Sequence, residues 1–130
     1  MRFDDLPKPL VDFVTASIDS VEQVHVLLSL HANPERSWTV AELTRELRSA
    51  DISIERRIED LRLRNVLARG EAPGTVSFKP ATENARNCIE LLAKAYRERP
   101  TRVIELIYSK PPLAVQAFAD AFRFRKDEDK

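Results

Sequence analysis

His25, His31 and Cys88 are the side chains best able to ligate a metal or act as a nucleophile, and their spacing argues against both. His25 and His31 stand six residues apart, on different sides of a helix, so they cannot share one ion, and no cysteine or carboxylate completes a ligand set. Cys88 lies beside Ile89 on what reads as the apolar face of a helix, the setting of a small core residue rather than a reactive thiolate. The chain's two glycines, Gly70 and Gly74, supply neither a phosphate-cradling loop nor a nucleophile elbow. No catalytic residue, metal or cofactor is expected, and the chain reads as a non-enzyme.

The remaining chemistry is that of charge. The 21 basic and 21 acidic side chains cancel over 130 residues, but unevenly. Residues 1–35 hold two basic and six acidic side chains, a balance of −4, whereas residues 36–100 hold 13 and 10, a balance of +3. A mildly basic middle binds a phosphate backbone only where its arginines gather on one face. A single cysteine fits a reducing compartment and excludes a disulfide framework. With no apolar run beyond a few residues, no membrane contact is expected and the protein is placed in the cytoplasm.

These side chains are carried by elements whose boundaries are marked in the sequence. Length and composition fit one helix-rich domain over 1–130. Pro7 and Pro9 precede a short helix with Leu10, Phe13, Val14 and Ser17 at helical spacing. Ser20 and Gln23 form a capping box for a core helix with Val21, Val24, Leu27, Leu28 and His31 on one face, ending at Asn33-Pro34. Thr39 and Glu42 form a second box before Val40, Leu43 and Leu47. Ser53 is read as the cap of a third helix with Ile54, Ile58 and Leu61 inward and Asn65 as a left-handed stop. Val66 to Ala68 and Thr75 to Phe78 read as a hairpin around Gly70–Gly74, with Trp38 adding a short third strand and Pro80 ending the pairing. Amphipathic helices follow over Ala81–Arg99, from Pro100, and from Val115 to Phe122, with a frayed tail at 126–130.

The run Asp51-Ile-Ser-Ile-Glu-Arg-Arg-Ile-Glu-Asp-Leu-Arg-Leu-Arg-Asn-Val-Leu67 places Ser53, Ile54, Ile58, Leu61, Asn65 and Val66-Leu67 where bacterial winged helix regulators carry matching residue types. With the hairpin and flanking helices, the order over about residues 20–99 resembles MarR-type transcriptional regulators. The expected fold is mainly α, in the α+β class: a winged helix-turn-helix over 20–80 with a small β-hairpin wing, plus N- and C-terminal helices over 1–18 and 81–125 that pair in a homodimer. The resemblance implies double-stranded DNA as partner, with Arg56 and Arg57 as base readers, because a guanidinium can donate two hydrogen bonds to guanine. Arg62, Arg64, Arg69 and Lys79 would contact phosphates, with Thr39, Arg45 and Ser53 adding contacts. Leu10, Phe13, Leu106, Ile107, Phe118 and Phe122 would form the dimer interface.

The residues also support a second reading. A wheel centred on Ile54, Ile58 and Leu61 puts Arg56, Glu59, Asp60 and Leu63 outward, two acids and a leucine on the supposed reading face. The hairpin tip, Glu71-Ala72-Pro73, is acidic as well. Such a face suits a winged helix that contacts a protein partner instead of a phosphate backbone.

Overall fold

The computed structural model describes residues 3–109. Six helices and a two-stranded antiparallel sheet are present among them: α1 (Lys8–Ser17), α2 (Val21–Ala32), β1 (Ser37–Thr39), α3 (Val40–Leu47), α4 (Asp51–Leu63), β2 (Thr75–Ser77), α5 (Glu83–Glu98) and α6 (Pro100–Ser109). The architecture is thus mainly helical with a small sheet, in agreement with the α+β expectation. No helix among the described residues is long and apolar enough to cross a membrane.

Local rules set most of the boundaries. Ser20 Oγ accepts from the Gln23 N–H at 3.2 Å while Gln23 Oε1 accepts from the Ser20 N–H at 3.1 Å, so the box at the start of α2 is closed in both directions. Thr39 and Glu42 repeat it at α3, at 3.1 and 2.8 Å. Two helix C-termini close through left-handed residues that are not glycine. At Asn65 (φ 62°), the Val66 N–H reaches Leu61 O at 2.9 Å and the Asn65 N–H reaches Arg62 O at 3.1 Å, the double bond pattern that closes a helix C-terminus. Arg48 (φ 51°) does the same for α3, with the Ser49 N–H on Thr44 O at 3.0 Å.

Three expectations need correction here. Ser53 does not cap α4: the helix begins at Asp51 after Ala50, which offers no side-chain cap, and the Ser53 hydroxyl is spent on Glu22. The hairpin is also different. β2 pairs with β1 (Ser37 opposite Ser77, Trp38 opposite Val76, Thr39 opposite Thr75), and Val66 to Ala68 contributes only one isolated bridge, Leu67 opposite Pro80. That bridge is flanked by Ala68 N–H to Lys79 O at 2.7 Å and Ala81 N–H to Val66 O at 2.9 Å. Pro80 therefore occupies a pairing position whose own N–H is not required, so it joins the pairing it was expected to end.

The third correction concerns the flanking helices. α1 packs on α5 and α6, and α2 packs on α3, α4 and α5, around one continuous apolar core. Leu10, Phe13, Leu106 and Ile107, expected at a dimer interface, are buried within this single chain. The physical reason is that α6 folds back on α1, so the faces that needed a neighbour find it internally. Phe118 and Phe122, with the rest of the last predicted helix and the tail, lie outside the described residues. Because α2 touches three helices, its buried set is also wider than one stripe: Gln23, Val24, Val26, Leu27 and Leu30 are buried, while Val21 and Leu28 are only partly so.

Candidate functional site

Between α3, α4 and the 68–79 loop lie the side chains that carried the functional expectation, and the structure divides them into two groups. In the first group the polar atoms are committed inside the fold. Arg57 Nε lies 3.1 Å from Glu22 Oε1, and the same carboxylate accepts from the hydroxyls of Ser49, at 2.6 Å, and Ser53. Burial works to raise the Glu22 carboxyl, but these three hydrogen bonds and the Arg57 charge outweigh it and hold the group below the ordinary glutamate value. Glu22 thus fastens α2 to the turn and first half of α4.

Arg62 and Arg64 are committed in the same way. Arg62 Nη2 reaches Glu71 Oε2 at 2.9 Å and Thr75 O at 3.1 Å. Arg64 Nη1 donates to Ser17 O at 3.1 Å, with Asp19 at 3.8 Å, which ties α4 to the corner between α1 and α2. Arg62 and Arg64, expected at phosphates, and Arg57, expected at a base, are thus each engaged in internal bonds. Thr39 and Ser53 have also spent their hydroxyls, on the α3 cap and on Glu22.

The second group is outward. Arg45, Arg56 and Arg69 are exposed and their side chains make no hydrogen bond or ion pair among the described residues, while exposed Lys79 lies 3.8 Å from Glu71. Around Arg56 the surface of α4 is mixed. Ile52 is 75% exposed and Leu63 60%, both unusual for large aliphatic side chains, and Glu55 and Glu59 are exposed between them. A shallow groove between α4 and the loop is lined by Val40, Glu55, Ile58, Glu59, Arg62 and Thr75. Its one cation is already neutralised by Glu71, so a phosphate entering it would meet two carboxylates.

The acidic loop tip reads differently once folded. Glu71 turns inward to 9% side-chain exposure, leaving Ala72 and Pro73 as the exposed residues there. Sequence reasoning also missed Ile52, although the signal was present: extending the wheel one turn before Arg56 reaches it, four residues earlier. Glu22 as the anchor of the α3–α4 turn had no such signal. On the far side of the core, His25 Nε2 and the Tyr96 hydroxyl are 3.0 Å apart and His31 Nε2 is 3.0 Å from Glu90 Oε2, so both histidines join α2 to α5. Cys88 is buried, and desolvation pushes its thiol above the ordinary value. No group of three or more potential metal ligands occurs among the described residues.

Compared with family models, curated proteins and solved structures, the chain gives no match.

Proposed function

We propose that this chain is a winged helix-turn-helix module, of the kind the resemblance to MarR-type regulators anticipates, that acts by protein contact through the outer face of α4. It is a binding module, not an enzyme. The observation that carries the reading is the exposure of Ile52 and Leu63 at the two ends of that face, with acids between and beside them. Apolar side chains offered to solvent in this way gain most from a protein surface, and the neighbouring carboxylates oppose a phosphate backbone.

A second reading, duplex DNA binding, is favoured by the free guanidinium groups of Arg45, Arg56 and Arg69. Fluorescence anisotropy with a random-sequence duplex over a salt series separates the two. Protein contact expects weak binding with little salt dependence, unchanged in an Arg45→Ala, Arg56→Ala, Arg69→Ala variant. Tight binding whose logarithm falls steeply with the logarithm of salt, and more shallowly in the triple variant, replaces it with the DNA reading.

A further inference from the structure

Ile52, Arg56, Glu59 and Leu63 form a single stripe along α4: at 100° per residue they fall within about 60° of one another on the helix surface. Their order has an internal symmetry. Counted from the middle of the stripe, between Arg57 and Ile58, Ile52 and Leu63 are equidistant, and so are Arg56 and Glu59. The outer pair is apolar at both ends, and the inner pair is opposite in charge. All four lie on the exposed side of α4, away from buried Ile54, Ile58 and Leu61.

We propose that this stripe is a self-docking face, on which α4 packs antiparallel against the α4 of a second copy of the chain. The proposal rests on the reading of α4 as a protein-contact face and names its occupant. A two-fold axis through the middle of the stripe lays Ile52 against the partner's Leu63 and Leu63 against the partner's Ile52. The same rotation brings Arg56 level with the partner's Glu59 and Glu59 level with the partner's Arg56, giving two equivalent ion pairs at the centre. An interface of this type is isologous: every contact occurs twice, once from each copy, so one self-complementary stripe is sufficient.

One flank adds a further opposite-charge contact. In an antiparallel pair each side of one helix lies along the same side of the other. Asp60, on the Arg56 side of the stripe, comes near the partner's Arg56. An unrelated partner would require no such symmetry, and DNA would be repelled by Glu55, Glu59 and Asp60 together. The 13 residues of α4 span about 20 Å, less than a standard interface needs, so the association is a reversible one with a dissociation constant of roughly 10–100 µM.

Sedimentation equilibrium of the full chain over about 1–500 µM tests this. The expected result is a monomer–dimer equilibrium that Arg56→Glu or Glu59→Arg alone weakens about tenfold or more, since each substitution places like charges at both central contacts. Arg56→Glu combined with Glu59→Arg restores the original constant to within about threefold, because the swap preserves the complementarity. Leu63→Glu weakens association without a rescuing partner. A chain that stays monomeric throughout the range overturns the self-docking face while leaving α4 available to a different protein. A dimer indifferent to both single charge reversals also overturns it, because the copies then meet elsewhere. Steep, salt-dependent duplex binding instead removes the protein-contact reading itself.

Discussion

Arg62 and Glu71 together close the outer edge of β2. Their side chains meet at 2.9 Å; Arg62 also donates to Thr75 O at 3.1 Å, and Glu71 also accepts from the Ser77 N–H at 3.2 Å and from the Ser77 hydroxyl. One ion pair thereby does for a strand edge what a third strand would do: it satisfies a carbonyl and an amide that β1, on the other side, cannot reach.

Breaking that pair is expected to be expensive because Glu71 is nearly buried. Arg62→Ala should destabilise the fold by roughly 2–3 kcal/mol in urea denaturation, Glu71→Ala by a similar amount, and the two together by less than the total of the singles, with a coupling of about 1–2 kcal/mol. Additive losses would show that the two side chains act independently.

Glu22 predicts an acid dependence. Its carboxyl lies below the ordinary glutamate value in the fold, so the ionised form is favoured by folding. The stability it contributes is present above the glutamate value of the unfolded chain and is lost as pH falls through the lower value of the folded state. Glu22→Gln should therefore be less stable than the parent near neutrality, by about 1–2 kcal/mol, and the difference should disappear in acid. Urea midpoints measured from pH 7 down to about pH 3 follow this directly.

At the opposite end of the molecule, Asp5 accepts from Arg102 Nε and Nη2, both at 2.9 Å, and from Arg99 at 3.2 Å. The hydrogen bond from Arg102, helped by its charge and by Arg99, holds the carboxyl down at about 2. Carboxyl chemical shifts across an acid titration should show this value in the parent and a return toward the ordinary aspartate range in Arg102→Ala.

Arg48 and Asn65 both occupy the left-handed region, and the two should respond oppositely to substitution. Arg48→Gly relieves a crowded backbone at an exposed site and should raise stability by about 0.5–1 kcal/mol, whereas Asn65→Ala puts a worse residue in that conformation and should cost about 1 kcal/mol. Thermal or urea unfolding of both variants checks the signs.

Cys88 is buried with a raised thiol, which predicts inertness. A disulfide reagent should modify the folded protein only as fast as the fold opens, and promptly in denaturant.

Much of this architecture was legible because it is encoded over short distances. Ser20 with Gln23 and Thr39 with Glu42 announce two helix starts within four residues each, and Ile54, Ile58 and Leu61 mark the inner side of α4 by period alone. What was not legible depends on contacts between segments distant in sequence. Glu22 reaches Ser53 and Arg57 from 31 and 35 residues away, so nothing near Ser53 reveals that its hydroxyl is taken. Likewise, alternation in Thr75 to Phe78 identifies a strand but not its neighbour. The choice of β1 over Val66 to Ala68 follows from Trp38 being buried opposite Val76, and from the carboxylate of Glu71 occupying the other edge. The arginines were the least legible of all, since a guanidinium free to meet a ligand and one locked to a carboxylate look identical in a sequence.

Thr39 belongs to the sheet and to a helix at once: it is the last residue of β1, it caps α3, and the next amide, that of Val40, donates to Gly74 O at 3.3 Å. No slack residue separates strand from helix. A molecule gripping the Ala72–Pro73 tip would consequently pull on the first turn of α3 without any intervening joint to absorb the motion, making the loop a lever rather than a free flap.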